Sequence, residues 1–346
     1  MQDIYKLIDD INVQKLDNLD TRVNDALSST NDDALFILGE TLFNFGLTPQ
    51  AIEVFRTLYN KYPDESELLI YLIDGLIAED QTDEALEYLT EVEVSPEKLM
   101  LEADLYQQLN MLEVAIDKLT EARELQPNDP IIHFALAEIL YYDGQYLRAT
   151  SEYETVLETG EYEINGVNLF SRIADCSLQS GNYSDAIKMF DEINDDEMNS
   201  EDYFKKAIAY DKNELTQEAI KLVQTLLSKD PDFLQGYFFL QQLHEQEHNY
   251  ADAIEIGKEG LRLSQFYKEL MVTTGKLEID HGDANEGVSL LTQALDVDNS
   301  YQEPLLILSD LFRSEEDYES LISLLQYVDE EDLYPVFMWH LSLIHI

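Results

Sequence analysis

Apolar residues along this chain recur at helical spacing, in amphipathic segments that arrive two by two with a short polar or glycine-containing turn between them. LFNFGLTPQAIEVFRTLYNKYPD at 42–64, LYQQLNMLEVAIDKLTEARELQPND at 105–129, LYYDGQYLRATSEYETVLETG at 140–160 and CSLQSGNYSDAIKMFDEI at 176–193 share this layout. In each, a small residue opens the buried stripe of the second segment. The pattern predicts helix, turn, helix, repeated.

That small residue is Ala51, Ala85, Ala115, Ala149, Ala186, Ala219, Ala253 and Gly287, with Leu321 as a weaker ninth, at successive intervals of 34, 30, 34, 37, 33, 34, 34 and 34. A second small position lies in the first helix (Gly39, Ala103, Ala137, Ala174, Ala207, Gly275), and a closing proline recurs as Pro63, Pro127 and Pro231. Small side chains let the two helices approach, large ones such as Leu38, Tyr106, Leu136, Phe55 and Phe190 fill the gaps, and proline stops the second helix. One such pair cannot bury both of its faces, so the pairs must stack.

An interval held near 34 residues, with these signature positions, resembles the tetratricopeptide repeat (TPR) over about residues 32–328. The resemblance implies an all-α fold, a right-handed superhelical solenoid of about nine stacked TPR helix pairs plus atypical terminal helices. Pairs are expected to start near 32, 66, 96, 130, 167, 200, 234, 268 and 302, after amino-terminal capping helices at 1–31 and before an incomplete pair from about 334. Trp339 falls where a tenth pair places its large first-helix residue, so the chain reads as truncated, and the terminal LSLIHI resembles a translated sequencing-adapter tail. The longest interval marks an insertion, GEYEING at 160–166, whose two glycines predict a looser joint.

Charge narrows the partners. The 346 residues carry 72 acids against 21 lysines and arginines, a formal net charge of -51, which repels phosphate backbones and anionic lipid heads. Nucleic acid and direct membrane insertion are therefore excluded as expectations, and a basic partner is favoured. The amino end shows no basic leader with an apolar run, and Cys176 alone cannot form an internal disulfide, so the expected location is the cytoplasm.

One stretch points elsewhere. HEQEH at 244–248 matches H-E-x-x-H, in which two histidines one turn apart hold zinc and the glutamate is general base. The repeat register argues against a zinc-dependent hydrolase. His244 falls at the packing position of Leu42, Tyr106, Leu140 and Tyr210, and His248 falls with Gly46, Gly144, Gly181 and Gly282 at the turn, where the helix is expected to end. No phosphate loop, G-x-S-x-G elbow or EF-hand spacing appears, and Cys176 adjoins a packing position. No catalytic, cofactor-binding or metal residue is assigned, and the chain is read as not an enzyme.

In tetratricopeptide arrays the resemblance places the ligand along the concave face of the first helices. The position after the large opening residue reads Phe36, Ile70, Met100, Phe134, Ser171, Phe204, Phe238, Val272 and Leu306; four residues on stand Glu40, Asp74, Asp104, Glu138, Asp175, Ile208, Gln242, Lys276 and Asp310. An apolar stripe beside five consecutive acids fits a basic amphipathic protein segment. The expected partner-binding residues are Phe36, Glu40, Ile70, Asp74, Met100, Asp104, Phe134, Glu138, Asp175, Phe204 and Phe238. Domains of the family that clamp a chaperone's terminal carboxylate carry lysine and asparagine at inner positions; here Lys276 stands alone, so no such clamp is expected. The chain is similar to cytosolic multi-TPR scaffolds of low-GC Gram-positive bacteria, and a scaffold or adaptor role follows. The alternative to it and to the hydrolase is a peptide-sensing regulatory TPR protein acting with a separate effector.

Overall fold

The computed structural model describes residues 2–327. Two helices, α1 (Gln2–Asn12) and α2 (Leu19–Leu27), precede the pairs α3 (Asp32–Asn44) with α4 (Thr48–Lys61), α5 (Ser66–Ala78) with α6 (Thr82–Leu89), α7 (Pro96–Gln108) with α8 (Leu112–Leu125), and α9 (Pro130–Tyr142) with α10 (Tyr146–Leu157). A hairpin of β1 (Glu163–Ile164) and β2 (Val167–Asn168) follows. Beyond it lie α11 (Leu169–Gln179), α12 (Tyr183–Asp191), α13 (Ser200–Lys212) with α14 (Thr216–Lys229), α15 (Leu234–Gln246) with α16 (Tyr250–Leu263), α17 (Lys268–His281) with α18 (Ala284–Val297), and α19 (Gln302–Ser314) with α20 (Tyr318–Ser323). The fold is an all-α solenoid of consecutive stacked pairs. The incomplete pair expected from about 334, with Trp339, lies outside the described residues.

The chain divides into two compact halves, Met1–Cys176 and Ser177–Ile346. In the first, one continuous core runs from Ile4 and Leu7 of α1 through Leu38, Phe55 and Leu72 to Leu105 of α7, so the capping helices are part of the stack. The short interval of 30 comes from α6, which has 8 residues where α4 and α8 have 14. The insertion at 160–166 folds as a tight hairpin. Asn165 and Gly166 take φ of 51° and 77° at its two-residue turn, the left-handed pair that matches strand twist, and Ile164 is buried.

Local chemistry fixes the helix starts. Asn31 and Ser95 accept from the backbone N–H groups of Ala34 and Lys98, Asn199 and Asp202 form a reciprocal capping box, and Pro96 and Pro130 open α7 and α9 where a missing N–H costs nothing. The turn inside a pair is as regular. Gly46, Asp80, Asn110, Gly144, Gly181, Glu214, His248 and Glu316 all have φ between 57° and 76°. At each, the N–H of that residue and of the next donate back to two carbonyls of the first helix, as in Gly46 to Phe43 and Leu47 to Leu42. Gly282 departs, with φ of −132°, because the buried Glu278 carboxylate accepts from Asp283 N–H at 2.7 Å beside it. A Cβ at Gly282 would sit 2.0 Å from that carboxylate.

Within each pair the deciding contact joins residues sixteen apart. A Cβ at Gly39 would lie 2.8 Å from the Phe55 ring, and one at Gly275 would lie 3.0 Å from Leu291. Ala103 with Leu119, Ala137 with Tyr153 and Ala207 with Val223 repeat the small-to-large match, all buried. The pair α15 and α16 inverts it. There the first helix carries Gln241 and the second carries Gly257, where a Cβ would meet Thr274 Oγ1 at 2.2 Å and Gln241 Nε2 at 2.3 Å. Buried Gln241 donates to Thr274 Oγ1 at 2.8 Å and accepts from Thr273 Oγ1 at 2.7 Å, so its amide is satisfied by the next pair.

This inversion predicts coupling. Gly257→Ala should destabilise by about 1–3 kcal/mol through overpacking, and should cost less in a Gln241→Ala background. A double-mutant cycle on chemical unfolding of the carboxyl-terminal half's transition should return an interaction of about 0.5–3 kcal/mol. Simple additivity would show that the two positions do not share one space.

Candidate functional site

The groove positions of the amino-terminal half separate into three kinds once their neighbours are known. Phe36 is half-buried, edge-on to Phe55 (6.0 Å) and Tyr71 (5.6 Å); Ile70 and Met100 are half-buried against the core beneath them. These three keep part of their apolar surface in reach of solvent. Phe134 is buried to 8% exposure, its ring 6.3 Å from Tyr153, so it serves packing.

Of the five acids, three are held by this protein's own side chains. Glu40 accepts from Tyr71 Oη at 3.0 Å. Glu138 accepts from Tyr153 Oη and, at 2.9 Å, from the Arg172 guanidinium. Asp175, only 2% exposed, accepts from Tyr141 Oη at 2.6 Å. Burial, with these carboxylates second, pushes the hydroxyls of Tyr71, Tyr141 and Tyr153 upward in pKa.

Asp74 and Asp104 differ. Neither has a hydrogen-bond or ion-pair partner among the described residues. Surrounding protein desolvates both and raises their pKa, and at Asp104 the negative charge of Asp74 adds to the effect, bringing it to about 6. Asp104 is nonetheless open to solvent by surface area. Water access and partial desolvation coexist where a side chain lies among protein walls on an accessible face, and the accessible area is the firmer guide to what a partner can reach.

In the carboxyl-terminal half Phe204 and Phe238 are half-buried, and each is covered by an aromatic ring, Phe233 at 5.3 Å and Tyr267 at 5.8 Å. Lys276 is exposed. The tyrosines and the arginine that tie down Glu40, Glu138 and Asp175 escaped the sequence reading. Only Tyr71 carried a signal, because it follows a groove position directly and its hydroxyl reaches back to the preceding pair.

HEQEH does not make a zinc site. α15 ends at Gln246, and His248 sits beyond it with φ of 59°, so the two histidines do not share a helix face. His244 is buried, with neither ring nitrogen hydrogen-bonded and Nδ1 3.8 Å from Asp252; exposed His248 contacts Tyr250 Oη at 2.8 Å. Among the described residues no group of three or more His, Cys, Asp or Glu is arranged to hold a metal ion.

The same turn and the same sixteen-residue contact are what the comparisons with known proteins detect. The family described as YpiA-like, tetratricopeptide repeats, matches residues 107–161, and two further tetratricopeptide-repeat families match 33–65 and 204–267. The TPR repeat-containing protein YpiA of Bacillus subtilis (strain 168) is 32% identical over 349 residues, covering 99% of this chain and 81% of that protein. The chain belongs to the tetratricopeptide-repeat family. Among solved structures, the C-terminal part of a TPR repeat-containing protein from Cytophaga hutchinsonii superposes with a TM-score of 0.57 at 15% identity, over 68% of this chain and 97% of that one, which speaks to the fold alone. No helix among the described residues is long and apolar enough to cross a membrane.

Within a TPR pair, HEQEH is the end of a first helix and its left-handed cap. His248→Gly should therefore be neutral or stabilising by up to about 1 kcal/mol, since glycine adopts that backbone without the Cβ penalty. Thermal melts with and without equimolar zinc should coincide for wild type. A zinc-dependent rise in midpoint that His248→Gly abolished would restore the metal reading.

Proposed function

We propose that this TPR protein is a non-enzymatic, cytoplasmic scaffold or adaptor that binds a basic amphipathic protein segment along the first helices of its amino-terminal half. The observation that carries the reading is the pair Asp74 and Asp104, two neighbouring carboxylates left without partners while Glu40, Glu138 and Asp175 are each satisfied internally. Keeping two like charges close and partly desolvated costs stability, and a lysine or arginine brought between them relieves that cost. Ile70 and Met100, each four residues earlier on the same helices, add apolar contact for the segment's other face. Glu40, Glu138, Phe134 and Asp175 shape this face from within, and Phe204 and Phe238 belong to the other half.

Charge and burial are separable in a test. Binding of a fluorescein-labelled lysine-rich amphipathic peptide should fall about tenfold or more at low salt in Asp74→Asn/Asp104→Asn, the loss expected for hydrogen bonds to charged groups, with a shallower salt dependence. A folded double variant that binds as wild type does would leave the acids as a solubilising surface and sink the reading.

Protonation supplies a second check. With Asp104 at about 6, affinity for the same peptide should drop as pH falls through that value, because the neutral carboxyl no longer attracts a cation. Stability runs the opposite way. The folded state holds this proton more tightly than an unfolded chain with the ordinary value of 3.8, so the group favours folding at low pH and loses that contribution as pH rises through about 6. Asp104→Asn should accordingly melt higher than wild type at pH 7.5 and alike below pH 4.

A further inference from the structure

The repeats provide an internal comparison for one place, the space between a first-helix groove residue and the residue that caps the next first helix. In the carboxyl-terminal half that cap is aromatic. Phe233 precedes α15 and lies 5.3 Å from Phe204; Tyr267 precedes α17 and lies 5.8 Å from Phe238. Neither cap side chain hydrogen-bonds the helix it precedes, so each ring is there to cover its neighbour. At the matching position of the second pair, twenty residues before Ala85 as Phe233 is before Ala253, stands Glu65.

With no ring at that position, the surface beside Phe36 is open. A cavity of about 310 Å³ remains there, floored by the buried Leu58 and Leu68 and walled by Phe36 and Tyr62. That volume admits one large side chain. Tyr62 is held in place as a wall, its hydroxyl donating to Asp32 at 2.6 Å while Lys61 neutralises the same carboxylate at 2.6 Å. Asp33, Glu65 and Glu67 also line the cavity, and none has a hydrogen-bond or ion-pair partner for its side chain among the described residues.

We infer that this cavity is the anchor subsite for the partner segment: it takes one aromatic side chain of the partner, in the way Phe233 and Tyr267 fill the equivalent spaces of this chain, with a flanking lysine or arginine on Asp33, Glu65 and Glu67. The inference rests on the groove reading and specifies it. An aromatic guest regains the edge and face contacts that the internal rings make elsewhere, and the three free acids require that its neighbours be positive. The acids also exclude the terminal carboxylate of a partner from this end of the face.

The experiment uses the full chain and three acetylated, amidated hexapeptides, followed by calorimetry in low salt: one phenylalanine among lysines, its alanine counterpart, and the phenylalanine peptide with glutamate for lysine. Wild type should bind the first about tenfold more tightly than the second and should not bind the third. Glu65→Phe, which installs the ring found at Phe233, should remove the preference for phenylalanine over alanine and keep salt-sensitive binding of both lysine peptides. Glu65→Gln should keep the preference, and Glu65→Tyr, copying Tyr267, serves if the phenylalanine variant does not fold by circular dichroism. Equal, salt-sensitive binding of the first two peptides by wild type would overturn the anchor subsite and leave the groove standing. Retention of the preference in folded Glu65→Phe would do the same. Failure of both lysine peptides to bind wild type would remove the groove and the subsite together.

Discussion

The close approach of the two helices in each pair is the constraint on which the other features depend. Where Gly39 lies under the Phe55 ring or Gly275 under Leu291, the backbones come near enough for the facing side chains to exclude water, and a stack of such contacts forms the core. The fit is a matter of volume in a shared space and not of one residue type at one place. Gln241 over Gly257 shows this, since the larger partner has moved to the other helix and its amide is satisfied by Thr273 and Thr274 of the next pair. The turn follows from the same constraint. Two helices that must come back against each other after a few residues need a left-handed residue between them, whether that residue is Gly46, Asp80 or His248.

A helix pair fixed in this way leaves one face of each first helix to other uses. Much of the acidity placed on that face is consumed internally: tyrosines hold Glu40 and Asp175, and Tyr153 and Arg172 hold Glu138. In the carboxyl-terminal half, Glu278 is buried against Lys258 at 2.5 Å, and it reshapes the turn at Gly282. Such carboxylates belong to the architecture. Asp74 and Asp104 have no such role, and their raised pKa marks a cost of keeping charge there that a basic partner offsets.

A chain of net charge -51 invites the reading that every acid is part of a diffuse field. The individual surroundings argue for something more local. The same applies to aromatic residues: Phe36, Phe134, Phe204 and Phe238 occupy one repeat position, yet one borders an open cavity, one is buried and two are covered by rings from the next cap. Repetition of sequence position sets the address of a side chain, and its neighbours set its use.

What the sequence determined by itself was therefore everything that follows from spacing along one helix or across one turn: the helix pairs, the interval, the small residues at the close approach, the end of α15 before His248 and with it the failure of HEQEH as a metal motif. These are local properties, fixed by propensity and by periodic burial within a few tens of residues. Tertiary structure decided which groove residues are available. Tyr71 reaches Glu40 across 31 positions and Tyr141 reaches Asp175 across 34, while Phe233 closes a space that Glu65 leaves open. The hairpin at Asn165 and Gly166 was likewise read as looseness, because a two-residue turn is stabilised by the register of its strands and the burial of Ile164. The physical reason is common to all three: hydrogen bonds and apolar cover are supplied by side chains from a different helix or strand, whose direction depends on packing and leaves no period in the sequence.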